Sequence, residues 1–281
     1  STTPGRSYAT LKEAIDVVPE DGTATITVNK NVVDNSEAII PSGKIITLDT
    51  DEFAITKTTH SIVNNGTFDI VGNSIINSTE NINIISATAG STSITNGVIQ
   101  NTSSSAAVVS VSGSADLNVT GGTIDSVNGV GIESTTTGSV QIGTSGDGTL
   151  TIDTPVVQGG TYGISGDFEF YDGVIMGGES EVYGDIHEKA TRIEEHTAII
   201  RGESVSYSIA YLQYIFDGSV SISGDNKIYS TLSVNLDIAP SGETYSYKWY
   251  TSDTSGDEAT RTEVGSEETY TLTEDGPYTT E

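Results

Sequence analysis

The decapeptide FEFYDGVIMG (residues 168–177) alternates Phe-Glu-Phe, turns at Asp172-Gly173 and resumes with an apolar run. Four segments upstream follow the same plan: FDIVGNSIIN from Phe68, TSITNGVIQN from Thr92, LNVTGGTIDS from Leu117 and LTIDTPVVQG from Leu150. In each copy the first and third positions are mainly apolar, a turn dipeptide such as Gly121-Gly122 follows, and the eighth position is branched: Ile75, Ile99, Ile124, Val157, Ile175. Between copies runs a third short apolar segment, INIIS, AAVVSVSG, VGIES or YGISG. Three short strands in a repeat near 25 residues fit one turn of a parallel β-helix. The eighth-position column then becomes an inward ladder, one rung per turn at about 4.8 Å. Asp69, Ser93, Asn118, Thr151 and Glu169 form a solvent-facing column.

The copies begin 24, 25, 33 and 18 residues apart. Strand positions are held while turns vary, so insertions belong in outer loops. The long interval carries GSVQIGTSGDGT (138–149), read as an extra hairpin. A β-sandwich also alternates, but its strands need not repeat a strand-turn-strand unit five times with one fixed inward position.

Upstream, SYATLKEAIDVVPEDG (7–22) reads as a helix able to cover an open sheet edge or core end. Thr10 and Glu13 have capping-box spacing, Leu11, Ala14, Ile15 and Val18 form one apolar stripe, and Pro19 and Gly22 close it. The period ends near residue 181, and about 186–217 reads as a closing hairpin that completes a first domain over 1–217. A second module spans 218–281, with Trp249 inside YSYKWY (245–250) and Tyr278 inside EDGPY (274–278).

Composition narrows the function. The 281 residues are 35% hydrophobic, 7% aromatic and 18% charged, with 31 Gly, 6 Pro and no Cys. Disulfides and thiolate chemistry are excluded. The net charge is −28, and no Lys or Arg occurs between Lys57 and Lys189, so nucleic acid and anionic membrane surfaces are not expected partners. No apolar run reaches the length of a membrane span.

SYATLKEAIDVVPEDGTATITV, GGTIDSVNGVGIES and FEFYDGVIMGG resemble the right-handed, pectin-lyase-like β-helix regions of large bacterial cell-surface proteins, especially Gram-positive ones. The module around Trp249 resembles the immunoglobulin-like domains of such proteins, with Tyr278 as tyrosine corner and the last strand lacking. The resemblance implies an all-β protein, a β-helix with an N-terminal helix cap joined to a partial immunoglobulin-like sandwich. It implies an extracellular location and a non-catalytic adhesin or stalk that displays the β-helix to a host or environmental glycan or protein. A polysaccharide-degrading enzyme, or an assembly subunit completed by self-association through an open strand edge, is the alternative.

No catalytic constellation stands out. Lyases on this fold use a basic residue, and Lys57 and His60 are the candidates in the repeat region, read as an exposed Lys and a partly exposed His on an early turn. For hydrolysis, Asp69 and Glu169 share a column but are separated by three intervening turns, while Asp125 and Asp153 fall in different columns on adjacent turns. Tyr162, Tyr171 and Tyr183 are candidate exposed sugar platforms, with loops around 133–149 as a further binding region. Calcium is the one cofactor considered, at Asp49, Asp51 and Glu52, where strand alternation puts the two Asp on one side.

Overall fold

The computed structural model describes residues 6–146, 150–215, 217–225, 227–239, 246–251 and 261–273, in two compact units divided between Gln213 and Tyr214. The first is a right-handed-type parallel β-solenoid of about 7 turns. Each turn contributes one strand to each of three parallel sheets. The turn opening at Ile45, for example, supplies Ile45–Asp49 to the first sheet, Ala54–Lys57 to the second and Ile62–Asn64 to the third.

Pleat alternation builds the core. In the second sheet Ile55, Ile76, Ile99, Ile124, Val157 and Ile175 stack in register and are at most 2% exposed. Burying each such side chain stabilises the fold by about 1.5–3 kcal/mol. The first-sheet ladder runs Ile46, Phe68, Thr92, Leu117, Val140 and Phe168, and the third-sheet ladder runs Ile62, Ile85, Val109, Ile132, Ile164 and Val182. Thr92 is tolerated inside because its hydroxyl accepts a hydrogen bond from Asn64 Nδ2 at 2.9 Å.

Two rungs differ from the sequence alignment. Ile76, not Ile75, pairs with Ile99, because the turn before it holds one more residue. In the sixth turn the first-sheet strand is Val140–Ile142, not the segment at Leu150. Gln141 therefore replaces Thr151 in the outward column, Asp153 belongs to no sheet column, and GSVQIGTSGDGT contains this strand rather than an extra hairpin. The insertion falls after it, between Ile142 and Val156. VQI and LTI both alternate apolar, polar, apolar and so suit the same rung; in the fold it is Val140 that pairs with Leu117.

The N-terminal helix is shorter than its stripe suggests, Leu11–Asp16. Thr10 Oγ1 accepts from Glu13 N at 3.2 Å, and Glu13 reaches back to Ala9 N at 2.9 Å. Pro19 disfavours helical backbone at Val18, so the helix stops before the residues that close the sequence pattern. Leu11, Ile15 and Val18 are buried in the same apolar cluster as the solenoid ladders.

After the seventh turn, Ile186–Lys189 makes one helical turn and Ala190–Ile193 adds a last parallel strand to the first sheet. Thr197–Glu203 and Ser208–Tyr214 then extend the second sheet, the latter antiparallel to Val174–Gly177.

In the second unit, Asp217–Ser223 pairs antiparallel with Thr231–Ala239, which pairs with Thr269–Thr271; Trp249–Thr251 pairs with Thr262–Gly265. Trp249 stacks on Tyr270, centroids 5.8 Å apart, and its indole N–H donates to Glu267 O at 2.7 Å. Tyr278 lies outside the described residues.

Candidate binding face

In the second sheet the residues flanking each inward ladder position point outward and form two straight rows. One row is largely aliphatic: Ala54, Ile75, Val98, Thr123, Val156 and, at its covered end, Val174. The other is largely polar: Thr56, Asn77, Gln100, Asp125, Gln158 and Met176. No register shift interrupts these pairings, so the rows stay parallel along the solenoid axis.

The polar row is bonded across turns. Gln100 Nε2 donates to Asp125 Oδ2 at 2.6 Å, and Gln158 Nε2 donates to Asp125 Oδ1 at 3.0 Å and to Tyr207 Oη at 3.0 Å. These bonds fix the carboxylate within the polar row. Beside the aliphatic row lies a groove floored by Ile75, Val98 and Thr123 and rimmed by Asn73, Asn96 and Asp153. The insertion of the sixth turn supplies the Asp153 side, held where Thr154 Oγ1 accepts from Gly122 N at 2.9 Å. Gly122 has φ +76, and a Cβ there would lie 2.6 Å from Gly97 O, so the wall depends on a glycine turn.

The residues singled out in the sequence are distributed differently. Tyr162 and Tyr183 meet edge to face, centroids 5.1 Å apart, with Tyr183 58% exposed. Tyr162 Oη donates to Glu179 at 2.9 Å, and that hydrogen bond is the main reason its phenol is held above its ordinary pKa. Tyr171 is not exposed as expected: it is 4% exposed on the first-sheet side, bonded to Glu169 at 2.8 Å with the Arg192 guanidinium 6.0 Å from its ring centre.

Asp49 ends a strand and accepts from Asp51 N at 3.0 Å, while Asp51 and Glu52 adopt left-handed backbone, φ 47 and 71. Among the described residues no group of three or more His, Cys, Asp or Glu is placed to hold a metal ion. Asp69 and Glu169 share the outward column of the first sheet, with Ser93, Asn118 and Gln141 between them.

Lys57 overturns its sequence reading. Instead of lying exposed beside His60, it is fully buried, donating to Asp34 Oδ2 at 3.0 Å and to Ser36 O at 2.7 Å. His60 is exposed. Burial pushes the Lys57 amine down, against the pull of Asp34. Burial also pushes the Asp34 carboxyl up, but the Ser36 hydroxyl, the Ser36 N–H and Lys57 together outweigh it and hold the group below 3.8.

The two outward rows were visible as the seventh and ninth positions of the last four aligned copies, Val98 and Gln100 or Thr123 and Asp125. Their meeting with Tyr207 and Asp153 was not, since those residues come from a later hairpin and an insertion. Searches against family models, curated proteins and solved structures give no match for this chain. Among the described residues, no helix is long and apolar enough to cross a membrane.

Proposed function

We propose that this chain is a non-catalytic display segment of a bacterial cell-surface protein, an adhesin or stalk of the pectin-lyase-like kind, and that the outer face of its second sheet binds an extended glycan or protein. The observation that carries this reading is the unbroken pair of rows, aliphatic beside amide and carboxylate, repeated in register turn after turn. A repeating surface suits a repeating or extended ligand, because each added turn adds a similar contact. Asp125 is flanked by amides of Gln100 and Gln158, an arrangement that positions a carboxylate for binding rather than pairing it with a second acid.

The N-terminal helix acts as the solenoid's cap in this reading, supported by the burial of Leu11, Ile15 and Val18 in the common core. The second unit serves as an immunoglobulin-like spacer, supported by the buried Trp249 and its antiparallel partners.

The test is a glycan array probed with the full chain and with Val98→Arg, followed by mass spectrometry of retained glycan. Binding with intact glycan, lost in Val98→Arg, is the expected result. A shortened or unsaturated product would replace this reading with an enzymatic one, and binding unaffected by Val98→Arg would move the site off this face.

A further inference from the structure

The face just described has one sign of charge. Between Ala54 and Met176 its only ionisable outward side chain in the two rows is Asp125, and the groove rim adds Asp153. No Lys or Arg occurs in the sequence from residue 58 to 188, and Lys57 is withdrawn into the core against Asp34. An acidic polymer laid along the rows would meet uncompensated carboxylates without a cation to receive it.

Asp125 still has capacity for a cation. Its oxygens take one amide hydrogen bond each from Gln100 and Gln158, whereas an ionised carboxylate offers about four lone-pair sites. The amide row supplies both donors and acceptors for hydroxyl groups, and the aliphatic row supplies apolar surface for the C–H face of a sugar ring. A basic peptide would satisfy the charge but gain little else. The strands beneath this face are hydrogen-bonded on both sides from Ala54 to Gly177, so they present no edge to which a peptide backbone could add.

We propose that the ligand of this face is a cationic amino-sugar chain, with ring faces on the Ile75–Val98–Thr123 strip and ammonium groups at Asp125 and Asp153. This rests on the binding-face reading above. The test is calorimetric titration of the full chain with a glucosamine oligomer, its fully N-acetylated counterpart and a galacturonate oligomer of equal length, at low and high salt. The glucosamine oligomer is expected to bind at least about tenfold more tightly than the N-acetylated one, a difference of ~1.4 kcal/mol, and to weaken with salt. Asp125→Asn, which keeps the side-chain shape, should erase most of that preference, while Val98→Arg should abolish binding of both neutral and cationic chains.

Equal affinity for the neutral and cationic oligomers, with both lost in Val98→Arg, would overturn the charge inference and leave the face standing. Preference for galacturonate would also overturn the charge inference. If no oligomer binds, or Val98→Arg changes nothing, the glycan-face reading fails and the inference with it.

Discussion

The second sheet closes each turn with an inward residue at a single column: Asp34, Lys57, Ser78, Asn101, Ser126, Gly159 and Gly177. Most of the polar members fold back onto the following turn. Asp34 Oδ1 accepts from Ser36 N at 2.9 Å, Ser78 Oγ from Glu80 N at 3.0 Å, Asn101 Oδ1 from Ser104 N at 3.0 Å and Ser126 Oγ from Gly129 N at 3.0 Å. Ser104 and Gly129 are buried and their N–H groups would otherwise be unpaired, while those of Ser36 and Glu80 sit in part-buried turns, so the column is structural. Lys57 makes no such cap and instead neutralises Asp34. Lys57→Met is expected to cost about 3–5 kcal/mol by leaving Asp34 buried and unpaired. The double variant with Asp34→Asn, which keeps an acceptor for Ser36, should recover most of that loss in urea denaturation. The pH dependence follows from the lowered Asp34 carboxyl. A depressed acid contributes stability above its unfolded pKa of about 3.9 and loses it as pH falls through its folded value. The stability gap between the wild-type chain and Asp34→Asn should therefore narrow as pH drops from about 5 toward 2; a constant gap would separate Asp34 from the acid transition.

At the scale of elements, the hairpin after the solenoid is held by more than strand pairing. Glu181 is 1% exposed in the last third-sheet strand, and Arg201 of strand Thr197–Glu203 lies in ion-pair contact with its carboxylate. Arg201→Ala would leave that carboxylate without its cation, and about 1–3 kcal/mol of local stability should be lost. Hydrogen exchange should rise across 197–214 and at Val174–Gly177, which pairs with the hairpin, while the turns around Ile70 and Ile94 stay protected. Uniform deprotection would mean that the hairpin opens only with the whole solenoid. The last two turns also change their turn chemistry. At Gly159 and Gly177 a Cβ would sit 1.8 and 1.7 Å from the carbonyl oxygens of Tyr162 and Ser180. The side-chain caps of earlier turns cannot be installed there, and Gly177→Ser is expected to destabilise the solenoid although Ser occupies the same column at 78 and 126.

For the whole molecule, the two units differ in core. The solenoid stacks continuous aliphatic ladders, whereas among the described residues of the second unit only Trp249 and Leu272 are buried hydrophobics. Trp249 is the single Trp of the chain, so its fluorescence reports the second unit alone. Thermal unfolding should show a lower transition by Trp fluorescence and a higher one by far-UV circular dichroism; coincident transitions would mean that the units unfold together. The net charge of −28 opposes compaction through self-repulsion, and added salt should raise both midpoints.

The sequence alone determined the parallel solenoid, because a strand period of 2 nested in a repeat near 25 residues leaves few ways to bury every branched ladder position at once. It also contained most of the two outward rows, since they flank the inward position in every copy but the first. Tertiary structure decided the rest. Which of VQI or LTI joins the sixth rung depends on stacking against Leu117, and whether Lys57 meets water or Asp34 depends on a partner 23 residues away. The groove, too, exists only where the sixth-turn insertion returns Asp153 and Thr154 to the strip of Ile75, Val98 and Thr123. Local pattern sets which side of a strand faces inward; contacts between distant turns set what that side meets.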